Sequence, residues 1–85
     1  MSRVLITGST EGLGLMAARL LTDDGHSVTL HARNAARAQD ARAALPAARS
    51  VLVGDLSSIA GMRQVAEQAN AGGRYDAVIH NGGVG

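Results

Sequence analysis

Three glycines, Gly8, Gly12 and Gly14, fall in the octapeptide TGSTEGLG, directly behind the apolar run RVLI and directly ahead of LMAARLLTDDG. Glycine weakens regular structure by about 0.5–1 kcal/mol relative to alanine, so a cluster where a strand hands over to a helix calls for a reason. A pyrophosphate supplies one. Gly8 permits a tight turn off the strand, Gly12 lets backbone amides approach the anion with no side chain between, and Gly14 lets the helix press on the sheet. Amides at the helix start point at the anion, and the helix dipole favours its charge. Ser9 and Thr10 add hydroxyl donors, and Leu13 completes the same turn. The spacing is G-x-x-x-G-x-G rather than the common G-x-G-x-x-G, and the alternative is a glycine-rich turn with no ligand. A nucleoside triphosphate loop is disfavoured, because no Gly-Lys-Ser/Thr follows and the chain has no lysine.

About twenty residues past such glycines, an acid favours a free ribose hydroxyl and an arginine accommodates a 2′-phosphate. Here the second apolar run ends in HARN, with Arg33 and Asn34 and no acid. A planar, permanently charged guanidinium suits a phosphate, so NADP(H) is preferred over NAD(H). The bland alternative is a solvated surface arginine, since Arg37 and Arg42 follow closely. His31 reads as a packed or partly exposed strand residue. Asp55 and Leu56 follow the third apolar run; an acid in that place is, on its own, as readily a helix cap or turn residue as a ligand contact.

The elements that must position these residues alternate along the chain. RVLIT (3–7), SVTLHA (27–32), SVLVG (50–54) and DAVIH (76–80) are rich in Val, Ile and Leu without polar alternation, as in strands buried on both faces of a parallel sheet. Helices are predicted over 12–24, 35–45 and 58–71. The first should lay a stripe of Leu13, Met16, Ala17, Leu20 and Leu21 on the sheet and end at Gly25. The second should be capped by Asn34 and stop before Pro46. The third follows DLSS, carries Ile59, Met62, Val65, Ala66 and Ala69 on one face, and ends at Gly72-Gly73. Strand and helix alternating in this way predict an α/β, Rossmann-type doubly wound parallel sheet of order 3-2-1-4 with three helices, the ligand lying at the carboxyl ends of the strands.

Eighty-five residues allow one domain at most. A net charge of +1 supplies no broad field for nucleic acid or anionic membrane. The absence of cysteine removes disulfides, thiolate metal sites and cysteine nucleophiles. No apolar run approaches the ~20 residues of a membrane span, and no signal-like segment opens the chain. The expected location is cytoplasmic.

TGSTEGLG, HARN, GDLSS and HNGG, in this order and at these separations, resemble the N-terminal cofactor half of the short-chain dehydrogenase/reductase family, and the resemblance spans essentially the whole chain. The first motif matches the family's Thr-Gly-x-x-x-Gly-x-Gly in full. By that resemblance Asp55 bonds the adenine amino group with the Leu56 backbone beside it, while Asn81, Gly82 and Gly83 line the central part of the cofactor and brace the sheet. Two positions depart from the family pattern. His80 stands where the family usually has an asparagine, and Glu11 where NADP-preferring members often carry a basic residue.

The family reduces carbonyls with a serine, a tyrosine and a lysine three positions after it, the lysine lowering the tyrosine pKa. Tyr75 is the single tyrosine, Val78 is its third successor, and lysine is absent; Tyr75 therefore reads as a packing residue. The resemblance implies an NADP(H)-dependent oxidoreductase acting on a small carbonyl or alcohol, with residues 1–85 as the NADP(H)-binding part of a larger single domain and no catalytic residue among them. The fourth strand is expected to leave an apolar edge that pairs with a missing C-terminal half or a second copy. The alternatives are a non-catalytic nucleotide-binding or redox-sensing module and an interaction fragment.

Overall fold

A computed structural model describes residues 2–8 and 12–80. Four strands, β1 (Arg3–Thr7), β2 (Ser27–Ala32), β3 (Ser50–Val53) and β4 (Ala77–His80), alternate with α1 (Gly12–Asp23), α2 (Ala35–Ala44) and α3 (Ile59–Ala71). The strands form one parallel sheet in the order β3-β2-β1-β4, with Leu5 opposite both Thr29 and Val78 and with Leu30 opposite Val51. The predicted order and helix number hold. Every strand therefore ends, at its carboxyl end, along the same edge of the molecule.

Alternate residues of the strands divide the core. Val4, Ile6, Val28, Leu30, Ala32 and Val51 pack with Ala18 of α1 and with Ala38, Ala41 and Leu45 in and beyond α2. Leu5 and Leu52 face the other way, onto Val65 of α3, with Ala69 and Tyr75 at the margin. Two helices on one face and one on the other are the outcome of right-handed crossovers.

Helix ends follow local chemistry. Asn34 caps α2, its side chain accepting the Arg37 N–H at 2.9 Å, and Leu45 closes that helix before Pro46 by donating to Ala41 O. Ser58 caps α3 by accepting the Gly61 N–H at 2.9 Å. Gly25, at φ 90°, ends α1 while His26 N–H reaches back to Leu21 O.

The packing face of α1 differs from the expected stripe. Leu13, Met16 and Leu20 are 74%, 60% and 65% exposed, while Gly14 and Ala18 are buried and Leu15, Ala17 and Leu21 flank them. The helix is apolar on nearly every side, so spacing alone admits two stripes. Close approach to the sheet selects the one with the smaller residues. In α3, Val65 and Ala69 pack as expected, but Ile59, Met62 and Ala66 are exposed and the contact is made through buried Gly61. Gln68 of α3 turns to the outer edge of β3, where its amide accepts the Val53 N–H at 2.9 Å and donates to Val53 O at 2.6 Å. One side chain thus occupies both ladder groups that this edge residue turns away from β2. All four residues of β4, on the opposite edge, are exposed, Val78 and Ile79 among them.

Candidate functional site

The carboxyl ends of β1, β2 and β3 bring Gly8, Arg33 and Asp55 to one end of the sheet. The pairing of β1 with β2 runs from Arg3↔Ser27 to Ile6↔Leu30, and Gly8 then turns the chain out of the sheet at φ 64°. Its N–H donates to Nδ1 of His31 at 3.0 Å. Gly12 opens α1 at φ 65°, and a Cβ built there meets nothing within 4 Å. The backbone conformation requires glycine, and the space before it is open. A side chain at Gly12 would strain the turn itself, so such a substitution reports on the turn as much as on a ligand. Gly14 is buried, and Leu13 is exposed beside it.

Arg33 is exposed at the exit of β2. Asn34, next to it, spends its side-chain oxygen on the α2 cap. Asp55 is exposed at the exit of β3, and one of its carboxylate oxygens accepts both the Ser57 hydroxyl, at 2.6 Å, and the Ser57 N–H, at 2.9 Å. These two hydrogen bonds, the hydroxyl's first, hold the Asp55 carboxyl below its usual pKa, and the positive field of Arg33 acts in the same direction. Leu56 is 37% exposed.

The backbone around Asp55 is pinned by glycines. A Cβ on Gly61 would lie 1.9 Å from Asp55 O, and one on Gly54 would lie 2.8 Å from Gly61 O. The first turn of α3 thus presses directly on the chain leaving β3. His80, the last residue of β4, is exposed and lies opposite Thr7 in the sheet. Ser9, Thr10, Glu11, Asn81, Gly82 and Gly83 lie outside the described residues.

Tyr75 belongs to the other end of the sheet. It packs at the margin of the Leu5–Leu52–Val65 cluster with the Arg3 guanidinium 5.4 Å from its ring centre, which agrees with its reading as a packing residue. Among the described residues no group of three His, Cys, Asp or Glu side chains could hold a metal ion, and no helix is long and apolar enough to cross a membrane.

Two residues that shape this corner escaped the sequence reading. Gly61 lies inside the third predicted helix, outside the apolar face named for it. His31 was placed correctly in the strand, but its two partners were not foreseen. The available signal was a histidine inside an apolar run: once buried, its ring nitrogens must find partners.

Two left-handed glycines, Gly8 and Gly12, an exposed Arg33 after β2 and a held Asp55 carboxylate after β3 thus share one end of the sheet. The short chain dehydrogenase family profile matches residues 2–85. An uncharacterized oxidoreductase of Emericella nidulans is 56% identical over 85 residues, covering 100% of this chain and 33% of the relative. The chain thus spans about a third of the length of the curated relatives it matches. L-Sorbose reductase from Gluconobacter frateurii, solved with NADPH and L-sorbose, superposes with a TM-score of 0.83 at 28% identity, over 99% of this chain and 34% of that one. The Pseudomonas aeruginosa RhlG/NADP active-site complex superposes at 0.79 with 31% identity, over 94% and 34%.

Proposed function

The chain belongs to the short-chain dehydrogenase family, and from that premise we propose that its strand ends bind NADP(H) for an oxidoreductase acting on a small carbonyl or secondary alcohol. The observation that carries the reading is the meeting of the left-handed glycines Gly8 and Gly12, the exposed Arg33 and the oriented Asp55 at one end of the sheet. Backbone amides of the Gly8–Gly14 turn take the pyrophosphate, with Ser9 and Thr10 as further donors. Arg33 pairs with the 2′-phosphate through its fork of N–H groups, and Asn34 holds the chain beside it. Asp55 accepts from the adenine amino group with the Leu56 backbone beside it, and Asn81, Gly82 and Gly83 line the central portion. When bound, NADPH would supply the hydride that a carbonyl accepts, and NADP+ would take up the hydride that an alcohol gives up. These 85 residues include no lysine, so they cannot assemble the serine, tyrosine and lysine of the family's proton transfer. Their part is to bind and orient the dinucleotide.

The test is cofactor discrimination in the protein at its natural length. Arg33→Ala should weaken NADPH binding by roughly 1.5–3 kcal/mol, the range for a hydrogen-bonded charged pair, or about ten- to hundredfold in Kd. NADH binding should change far less. Equal losses for the two would overturn the assignment of Arg33, and an unmodified protein that binds neither would overturn the site.

A further inference from the structure

His31 is 4% exposed, and both nitrogens of its ring are committed. Nδ1 accepts the Gly8 N–H at 3.0 Å, and Nε2 lies 2.8 Å from the carbonyl oxygen of Gly54. A backbone N–H can only donate and a carbonyl can only accept, so Nδ1 is bare and Nε2 carries the proton. One neutral tautomer satisfies both contacts. The ring therefore reaches across the central strand β2 and ties the end of β1 to the end of β3.

Both ends matter to the site. Gly8 is the residue at which the chain leaves the sheet for the glycine turn, in a left-handed conformation. Gly54 immediately precedes Asp55 and is itself anchored, its N–H donating to Ala32 O at 3.0 Å and its backbone pressed by α3. The imidazole thus transmits a fixed point on β3 to the first residue of the turn. We propose that His31 is a positioning residue for dinucleotide binding, holding the Gly8 turn in register with the Asp55 exit so that pyrophosphate and adenine are met at a set separation. The inference rests on the reading of this corner as a dinucleotide site.

It touches neither the 2′-phosphate nor the substrate, and this separates it from Arg33. Loss of the clamp should weaken NADPH and NADH alike. His31→Phe keeps a ring in the cavity and removes both hydrogen bonds. His31→Gln restores one acceptor and one donor, spaced much as the ring nitrogens are.

The experiment uses the protein at its natural length, with thermal melting recorded for each variant. The ¹⁵N shifts of the His31 ring in the unsubstituted protein should report the Nε2–H tautomer. A ring protonated on Nδ1 would overturn the proposal without any ligand being added. Calorimetric titration of His31→Phe should then show about a tenfold or greater rise in Kd for both cofactors, the scale of one lost positioning hydrogen bond. His31→Gln should recover most of that loss. Unchanged affinity in a folded His31→Phe protein, or a Gln variant no better than Phe at equal melting temperature, would overturn the positioning role while leaving the site intact. If His31→Phe does not fold, the comparison of His31→Gln with His31→Ala decides in the same way. An unsubstituted protein that binds neither dinucleotide would overturn both this inference and the reading beneath it.

Discussion

Arg3 and Arg33 stand near the start and just past the end of adjacent strands, and the protein treats them differently. At the amino end of the sheet, Arg3 is enclosed by its own chain. Its backbone N–H donates to the Asp76 carboxylate at 2.7 Å, its guanidinium donates to Gly72 O at the end of α3, and the same group lies over the Tyr75 ring. Asp76 N–H returns a bond to Arg3 O at 2.7 Å. Ser2 N–H donates to His26 Nδ1 nearby, and His26 Nε2 lies 3.5 Å from an Asp24 carboxylate oxygen. At the carboxyl end, Arg33 is exposed and Asp55 is held by a neighbouring serine, with the left-handed Gly8 and Gly12 at the same end of the sheet. Polar groups at one end close upon each other. At the other end they are oriented and left facing outward, which suits the binding of something the chain does not contain.

The largest stability effect should come from the closed end. Arg3→Ala removes the bond to the C-terminal carbonyl of α3 and the stacking on Tyr75, so it should cost about 2 kcal/mol of stability, read as a lower melting temperature. Dinucleotide preference should be unchanged. A shift in the NADPH to NADH ratio would break the division between the two ends.

A smaller effect sharpens the description of Asp55. The folded carboxyl titrates below its ordinary value because the charged form accepts two bonds from Ser57. Its contribution to stability is therefore complete above the usual carboxylate pKa and lost as pH falls through the lower folded value. Ser57→Ala deletes the hydroxyl bond and should move the Asp55 titration, followed by carboxyl ¹³C shift, upward toward the ordinary value. No movement would mean that the serine does not hold the carboxylate.

The sheet order was legible because four apolar β-rich runs alternated with three helical ones, and the caps Asn34 and Gly25 because their local chemistry acts wherever they stand. The faces of α1 and α3 were less legible. An almost wholly apolar helix offers more than one stripe, and the sheet chose Gly14 and Ala18 over Leu13, Met16 and Leu20 because close packing rewards small residues. Gly8, Arg33 and Asp55 could be placed at one end of the sheet from their positions after successive strands. The links between those places could not be read, because they depend on contacts across strands: His31 reaching Gly8 and Gly54, and Gly61 meeting Asp55. No spacing rule along the chain encodes such partners.

The most direct test of the distinction between the two ends is a titration of the ¹⁵N-labelled protein with NADPH, followed residue by residue through its amide shifts. The amides of Gly8, Gly12, Leu13, Arg33 and Asp55 should move together and saturate with a single Kd, while those of Arg3, Tyr75 and Asp76 stay in place. Shifts centred on Arg3, Tyr75 and Asp76, or a saturating ligand that leaves the Gly8–Gly14 turn unmoved, would contradict the account.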